Sequence, residues 1–417
     1  MTMLRQTYAV WELTLQCNLA CVHCGSRAAH ARPNELSTAE ALDLVKQLAE
    51  AGIQEVALIG GEAFLRPDWL AIARAIRAAG MACTLTSGGL GISAHTAEAI
   101  AEAGIHQVSL SIDGTRETHD ALRGKQGSHA AAFQTFAHLR AANINITANT
   151  QINRLSAPEL PLIYADIVAA GCRAWQIGLT VPMGRAADRP DLLLQPSELL
   201  DLFPLLNELA TQAAHDNIAL HPGNNIGYFG PYERRLRSTQ GENAIWDGCQ
   251  AGLTSIGIEA DGAIKGCPSL PTNAYTGGNI RTTRLRDLLN TPELTINAQM
   301  SSPEGAAHLW GFCRSCDYAE LCRGGCTWTA HTFFGQPGNN PYCHHRALTH
   351  QRQGTRERLT LTTPAPGQPF DHALFTLNKE PANTPWPTPD PLHFTANKIR
   401  RHRVPSDATP AFNILTS

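Results

Sequence analysis

The chain has 417 residues, with 33 Lys and Arg against 36 Asp and Glu, a formal charge of −3 and 43% hydrophobic residues. That leaves room for two or three domains with real cores, and the lack of a basic excess excludes nucleic acid and anionic membrane as partners. No run of about 18 apolar residues proposes a membrane helix, and residues 1–7 lack the apolar core of a signal peptide, so a cytoplasmic protein is expected.

Twelve cysteines without an export signal point to metal rather than disulfides. Ten of them cluster at 17–24 and 249–343, while Cys83 and Cys172 read as small core residues. In chain order, an apolar strand at 8–15 runs into Cys17-x3-Cys21-x2-Cys24. A cubane cluster takes one thiolate for each of its four irons, so three close cysteines leave one iron free. A zinc site, which would want a fourth Cys or His in tetrahedral reach, and a chance group of thiols are the alternatives.

Strand-like and helix-like segments then alternate to about residue 185, the pattern of a parallel sheet with crossover helices. Strands are expected at 55–60, 82–87, 107–112, 144–151 and 174–181, and amphipathic helices at 38–51, 67–79, 94–104, 127–142 and 157–171. Ser37 caps the first helix and Glu40 puts a negative charge in its first turn. Six such units suit an α/β partial (β/α)6 TIM-like barrel over residues 1–190, with chemistry at the C-terminal strand ends. Those ends carry the cysteine loop, Gly60-Gly61-Glu62, Thr86-Ser87-Gly88-Gly89, Ser111-Ile112-Asp113-Gly114, the Asn149, Gln151 and Asn153 set, and Val181 to Ala186.

The cysteine spacing and these strand ends resemble the radical SAM superfamily over about 180 residues. The resemblance implies a [4Fe–4S] cluster on Cys17, Cys21 and Cys24, whose free iron takes the amine and carboxylate of S-adenosylmethionine (SAM). It also implies that Gly60, Gly61 and Glu62 receive the methionine ammonium, that Thr86 and Ser87 hold the ribose hydroxyls, and that His23 lies beside adenine. Ser111 and Arg123 would meet the methionine carboxylate, for which an Arg fork is suited. Taken singly, Gly-Gly-Glu reads as a turn and Arg123 as a surface ion pair; placement on consecutive strand ends is what joins them.

Residues 191–248 read as a helical bridge, with a leucine-striped helix at 197–216 packing into the core. Its loop at 221–232, rich in Gly, Asn and aromatics, either walls a substrate channel or is a plain cluster of turns. Residues 249–350 then carry Cys249, Gly262-x4-Cys267, Cys313-x2-Cys316-x5-Cys322-x3-Cys326 and Cys343. Zinc is the alternative for the Cys-x2-Cys element. The whole order resembles the SPASM extension of peptide-modifying radical SAM enzymes, which holds two auxiliary [4Fe–4S] clusters.

That resemblance implies one cluster on Cys313, Cys316, Cys322 and Cys343 and a proximal one on Cys249, Cys267 and Cys326. Because 250–255 lacks a further cysteine, the proximal cluster is expected to have an open iron, for substrate, water or Asp247 to cap. Sulfatase-maturing relatives place an Asp beside a cysteine here; Pro268 follows Cys267 instead, leaving Asp317 as the candidate base. Trp310, Phe312, Tyr318, Leu321, Trp328, Phe333 and Phe334 are expected to shield the clusters, and His344 and His345 to be structural. Residues 351–417 hold ten prolines between 364 and 410 and a basic run at 398–403, and read as an extended tail, wrapped on the body or partly disordered.

The resemblance as a whole implies a SPASM maturase of a ribosomally made peptide, and the Cys17–Ala28 loop is similar to that of mycofactocin maturases. Reductive cleavage of SAM would give a 5′-deoxyadenosyl radical that removes hydrogen from a peptide residue. Carbon–carbon or thioether crosslinking, or desaturation, would follow, with the auxiliary clusters taking the electron. The expected cofactors are SAM and three [4Fe–4S] clusters. The expected partners are a precursor peptide and a flavodoxin or ferredoxin reductant. So little chain precedes the first strand that leader recognition falls to a separate leader-binding protein or to the barrel. Three alternatives stand: action on a small molecule or tetrapyrrole; a formylglycine-type sulfatase maturase, disfavoured by Pro268; and a non-catalytic Fe–S or zinc scaffold, which needs no SAM pocket.

Overall fold

Alternation along the strands decides how this sheet sits. In the computed structural model, which describes residues 7–300 and 305–387, ten strands form one sheet. In chain order they are β1 (Tyr8–Glu12), β2 (Glu55–Ile59), β3 (Ala82–Ser87), β4 (Gln107–Ser111), β5 (Asn145–Ile152), β6 (Ala174–Leu179), β7 (Ala219–Pro222), β8 (Ser255–Ile258), β9 (Ala263–Lys265) and β10 (Thr276–Asn279). The spatial order is β10-β9-β8-β1-β2-β3-β4-β5-β6-β7, parallel from β8 to β7 and antiparallel at β9 and β10.

One face carries Trp11, Val56, Leu58, Cys83, Val108, Leu110, Ile146 and Trp175, all buried in the core. The crossover helices are α1 (Thr38–Glu50), α2 (Trp69–Ala78), α3 (Ala94–Glu102), α4 (Arg116–Arg123), α5 (Ser128–Ala141) and α6 (Leu160–Ala169), followed by α7 (Leu199–His215). Buried residues of all of them except α4 join the same core. The opposite face carries Thr84, Thr86, Gln107, Ser109, Ser111, Thr147, Asn149, Gln151 and Gln176, which line cavities. Parallel sheets covered on both faces read as unbroken apolar runs. Alternation along β3 to β6 marks a sheet curved around a largely polar lumen, the α/β partial barrel expected from the sequence.

Local signals behave as their chemistry requires. Ser37 and Glu40 form a reciprocal capping box at the start of α1, worth about 1 kcal/mol. Cys83 and Cys172 are buried in the core. No helix among the described residues is long and apolar enough to cross a membrane.

Four expectations are corrected. The first strand ends at Glu12 rather than 15. A helix, α4, occupies 116–123, where none was expected. The bridge at 191–248 is not purely helical, since β7 pairs with β6 and widens the sheet. The part of 351–417 that is described is not an extended tail: β11 (Thr355–Thr363) and β12 (Leu374–Pro381) form an antiparallel hairpin. Arg346 and Glu357 tie that hairpin to the helix His344–Arg352 through a buried two-pronged ion pair. The basic run at 398–403 lies outside the described residues.

Candidate functional site

The polar strand ends do converge. A cavity of about 340 Å³ is lined by Cys17, Cys21 and Cys24 together with His23, Gly60, Gly61, Glu62, Thr86, Ser87, Ser111 and Arg123. Every residue that the sequence proposed for the cofactor pocket therefore meets in one space. The ends of β5 and β6 add Gln151, Thr180, Val181, Met183 and Arg185.

Backbone geometry explains the glycine pair. Gly61 N donates to Thr14 O at 2.7 Å and Glu62 N to Gln16 O at 2.8 Å. A Cβ on Gly60 would lie 2.5 Å from Thr14 O, and one on Gly61 2.2 Å from Gln16 O. The glycines thus let the cysteine loop lie directly on the end of β2. From the other side Arg185 donates from Nε to Cys21 O at 2.6 Å and from both Nη atoms to Ala28 O. The loop is clamped between two strand ends.

The polar groups of the cavity are engaged with one another. Glu62 is 2% exposed and accepts from Ser87 Oγ at 2.5 Å and Gly88 N at 2.6 Å. Burial pushes its carboxyl up to about 7, against the pull of those bonds and of Arg123. Ser87, expected at a ribose, gives its hydroxyl proton to Glu62, because a buried carboxylate needs donors. Arg123 lies 2.5 Å from Asp113 Oδ2 and donates to Cys21 Sγ at 3.6 Å. His23 Nε2 lies 2.9 Å from the same carboxylate.

Asp113 was not proposed as a site residue, yet it is fully buried and joins the histidine, the arginine and Gln151 N. Burial alone would raise its carboxyl, but Arg123, His23 and the Gln151 N–H hold it well below the usual range. The available signal was an acid two residues past a strand whose last residue faces the lumen.

The first three sulfurs suit a cluster. Leu19 N donates to Cys17 Sγ at 3.4 Å, and Ser26 Oγ lies 3.5 Å from Cys24 Sγ. Burial pushes the Cys17 thiol up to about 12 and raises Cys21 despite Arg123, so thiolates there require the positive charge that iron supplies.

The later sulfurs fall into two neighbourhoods. Cys249 and Cys326 hydrogen-bond each other, and Cys267 interacts with them through charge: Cys249 raises its thiol and it in turn raises that of Cys326. Cys313, Cys316, Cys322 and Cys343 act on one another, and burial raises all four thiols. Among the described residues no three His, Cys, Asp or Glu close on a single metal ion; a cubane draws its thiolates from wider apart.

Cys249, Cys267 and Cys326 line a second cavity of about 680 Å³, which shares Ser111, Gln151, Pro268, Ser269 and Trp328 with the first. Gly223, Asn224 and Asn225 of the 221–232 loop form part of its wall. Asp247 and Asp317 are exposed and line neither cavity, so the proposed cap and base are not placed at the lumen. Of the expected shielding residues, Trp328 faces both cavities, whereas Tyr318 and Leu321 are exposed at 36% and 39%. His344 stacks on Phe203 and His345 packs edge-on against Tyr318, the structural roles expected of them.

Comparison with known proteins matches two separate stretches of the chain. Residues 11–152 match the model of the radical SAM superfamily, and residues 249–317 match SPASM, an iron–sulfur cluster-binding domain. An AdoMet-dependent heme synthase of Oleidesulfovibrio alaskensis is 29% identical over 80% of this chain and 86% of its own. The mycofactocin maturase MftC of Mycobacterium ulcerans is 29% identical over 84% and 92%. Streptococcus suis SuiB, solved with S-adenosylmethionine, shares the fold with a TM-score of 0.61 at 16% identity, over 82% of this chain and 76% of SuiB.

Proposed function

Because this chain is a radical SAM enzyme with a SPASM extension, we propose that it modifies an uncharged segment of a peptide held in the larger cavity. The observation that carries this reading is the charge of the lining. No Lys, Arg or His is among the described residues that wall the larger cavity, the carboxylate of Asp113 in its wall is already met by Arg123 and His23, and Asn149, Gln151, Gln176, Asn224 and Gln250 all line it. Side-chain amides match the N–H and C=O groups of a peptide main chain. A tetrapyrrole would bring several carboxylates into a space with no cation to meet them, which is costly. The likeness to heme synthases favours that second reading; the lining weighs against it.

Cys17, Cys21 and Cys24 would hold the first [4Fe–4S] cluster, Cys249, Cys267 and Cys326 the proximal auxiliary one, and Cys313, Cys316, Cys322 and Cys343 the third. When bound, these groups supply the electron that splits the sulfonium of SAM and an acceptor for the electron the substrate gives up. The chain's own residues orient and dry the site. Glu62 would receive the methionine ammonium, and Ser111 and Arg123 its carboxylate. Asp113 fixes the Arg123 fork and the His23 ring through one buried carboxylate. Pro268 and Trp328, at the junction of the two cavities, exclude water between cofactor and substrate.

Anaerobic incubation with dithionite, SAM and a short peptide encoded beside this chain tests the reading. A peptide lighter by a pair of hydrogens is expected. Consumption of a tetrapyrrole in place of the peptide would overturn it.

A further inference from the structure

The loop between β11 and β12 reaches the smaller cavity. Phe370, on that loop, lines the same space as Cys17, Cys21, Cys24, Glu62 and Arg123, and takes no part in the larger cavity. Its φ of +57° lies in the left-handed region, which a bulky residue keeps only where its surroundings over-determine it.

Those surroundings come from distant parts of the sheet. On one side the loop is tied to the chain just after β6: Gly184 N donates to Asp371 O at 2.8 Å, and Ala373 N to Pro182 O at 3.3 Å. Arg27, three residues past Cys24, donates from Nε to Asp371 Oδ1 at 2.7 Å. Asp371 Oδ2 accepts from Gly367 N and Gln368 N, which fixes the loop on itself. On the other side the Phe370 ring sits under Lys265 of β9, whose Nζ is 4.1 Å from its centroid, with Arg32 at 5.7 Å. Lys265 is fully buried and held 2.6 Å from Glu259. In the ladder β6 and β9 are separated by β8 and β1 to β5. One loop reaches both only by spanning the gap that the open sheet leaves at its mouth.

We propose that residues 364–373 are a clasp across that gap, and that Phe370 is a wall of the SAM pocket, packed against the bound cofactor. This rests on the SAM-binding reading of the smaller cavity, which the wild-type arm below tests separately. The C-terminal hairpin is then part of the cofactor site although it lies more than 300 residues from the first cysteine.

Two measurements on the full, anaerobically reconstituted chain test it. Equilibrium dialysis with SAM compares the wild type with Phe370→Ala and Phe370→Leu. Loss of one aromatic contact predicts affinity about tenfold weaker for Phe370→Ala, with Phe370→Leu recovering most of it. Iron content should stay at the wild-type level while SAM affinity falls, a split that a purely structural role would not produce. Hydrogen exchange compares the wild type with Asp371→Ala, and faster exchange at Gly184, Gly367 and Gln368 is expected. A SAM affinity for Phe370→Ala within twofold of a wild type that does bind SAM overturns the wall, and unchanged exchange in Asp371→Ala overturns the clasp. If the wild type itself binds no SAM, the reading of the cavity falls and the wall falls with it.

Discussion

Replacing Glu62 by Gln separates stability from cofactor binding. In the folded chain its carboxyl titrates near 7, against an ordinary value of 4.5. Between those pH values the folded protein keeps a proton that the unfolded chain has released. The stabilising contribution is therefore fully present below about pH 4.5 and is lost as pH rises through 7. At about 1.4 kcal/mol per pH unit, the loss amounts to roughly 3 kcal/mol at pH 8. A Gln at this position has no proton to release. Its amide can accept from Gly88 N and donate to Ser87 Oγ, once that hydroxyl turns away.

Urea unfolding of the metal-free wild type and of Glu62→Gln, each at pH 5 and pH 8, gives the comparison. The two should be nearly equal at pH 5, and the variant more stable by about 3 kcal/mol at pH 8. Its reconstituted form should bind SAM at least about tenfold more weakly, since a charge-assisted bond to the ammonium is gone. A stability difference that does not change with pH would refute the reasoning.

Asp113→Asn strips the shared carboxylate from Arg123 and His23 and leaves a buried guanidinium uncompensated; a loss of about 3–5 kcal/mol in urea unfolding is expected. Gly61→Ala drives a methyl group into Gln16 O, so the cysteine loop must shift, and iron analysis should show one cluster missing with the later sulfur sets still loaded. Cys267→Ser and Cys326→Ser should each lose iron from one and the same cluster, with the double variant losing no more than either alone. Cys316→Ser should spare that cluster, which Mössbauer spectra distinguish.

Sequence reading located the strands because each is a short, largely apolar run rich in Val, Ile, Leu or Thr whose end is marked by glycines and hydroxyls. It missed α4 because that helix buries His119, Leu122 and Arg123, and two of these are charged or titratable. An apolar stripe is the usual sign of a buried helix face; here Arg123 answers to Asp113 and Cys21. It missed β7 because four residues ending in Pro222 are too few for alternation to register, and proline fits only a sheet edge. In the hairpin, Pro364, Pro366 and Pro369 all fall in the β11–β12 connection, so proline density signalled a loop between strands and was read as a tail. Phe370 was invisible for the same reason: nothing local announces a residue whose role depends on a cavity built from the other end of the chain.

The pairing of β1 with β8 has one more implication. Tyr8 to Trp11 lie in register with Ser255 to Ile258, so the strand leading to Cys17 and the strand between Cys249 and Cys267 share a single hydrogen-bonded ladder. Electron tunnelling slows exponentially with separation, and in many redox proteins that separation changes as modules hinge or dock. Clusters on the first and second sulfur sets, as proposed above, would be spaced by this shared ladder, and the hop between them would then be a constant of the fold. Evolution could retune the lumen and its loops for a new substrate without disturbing that wiring.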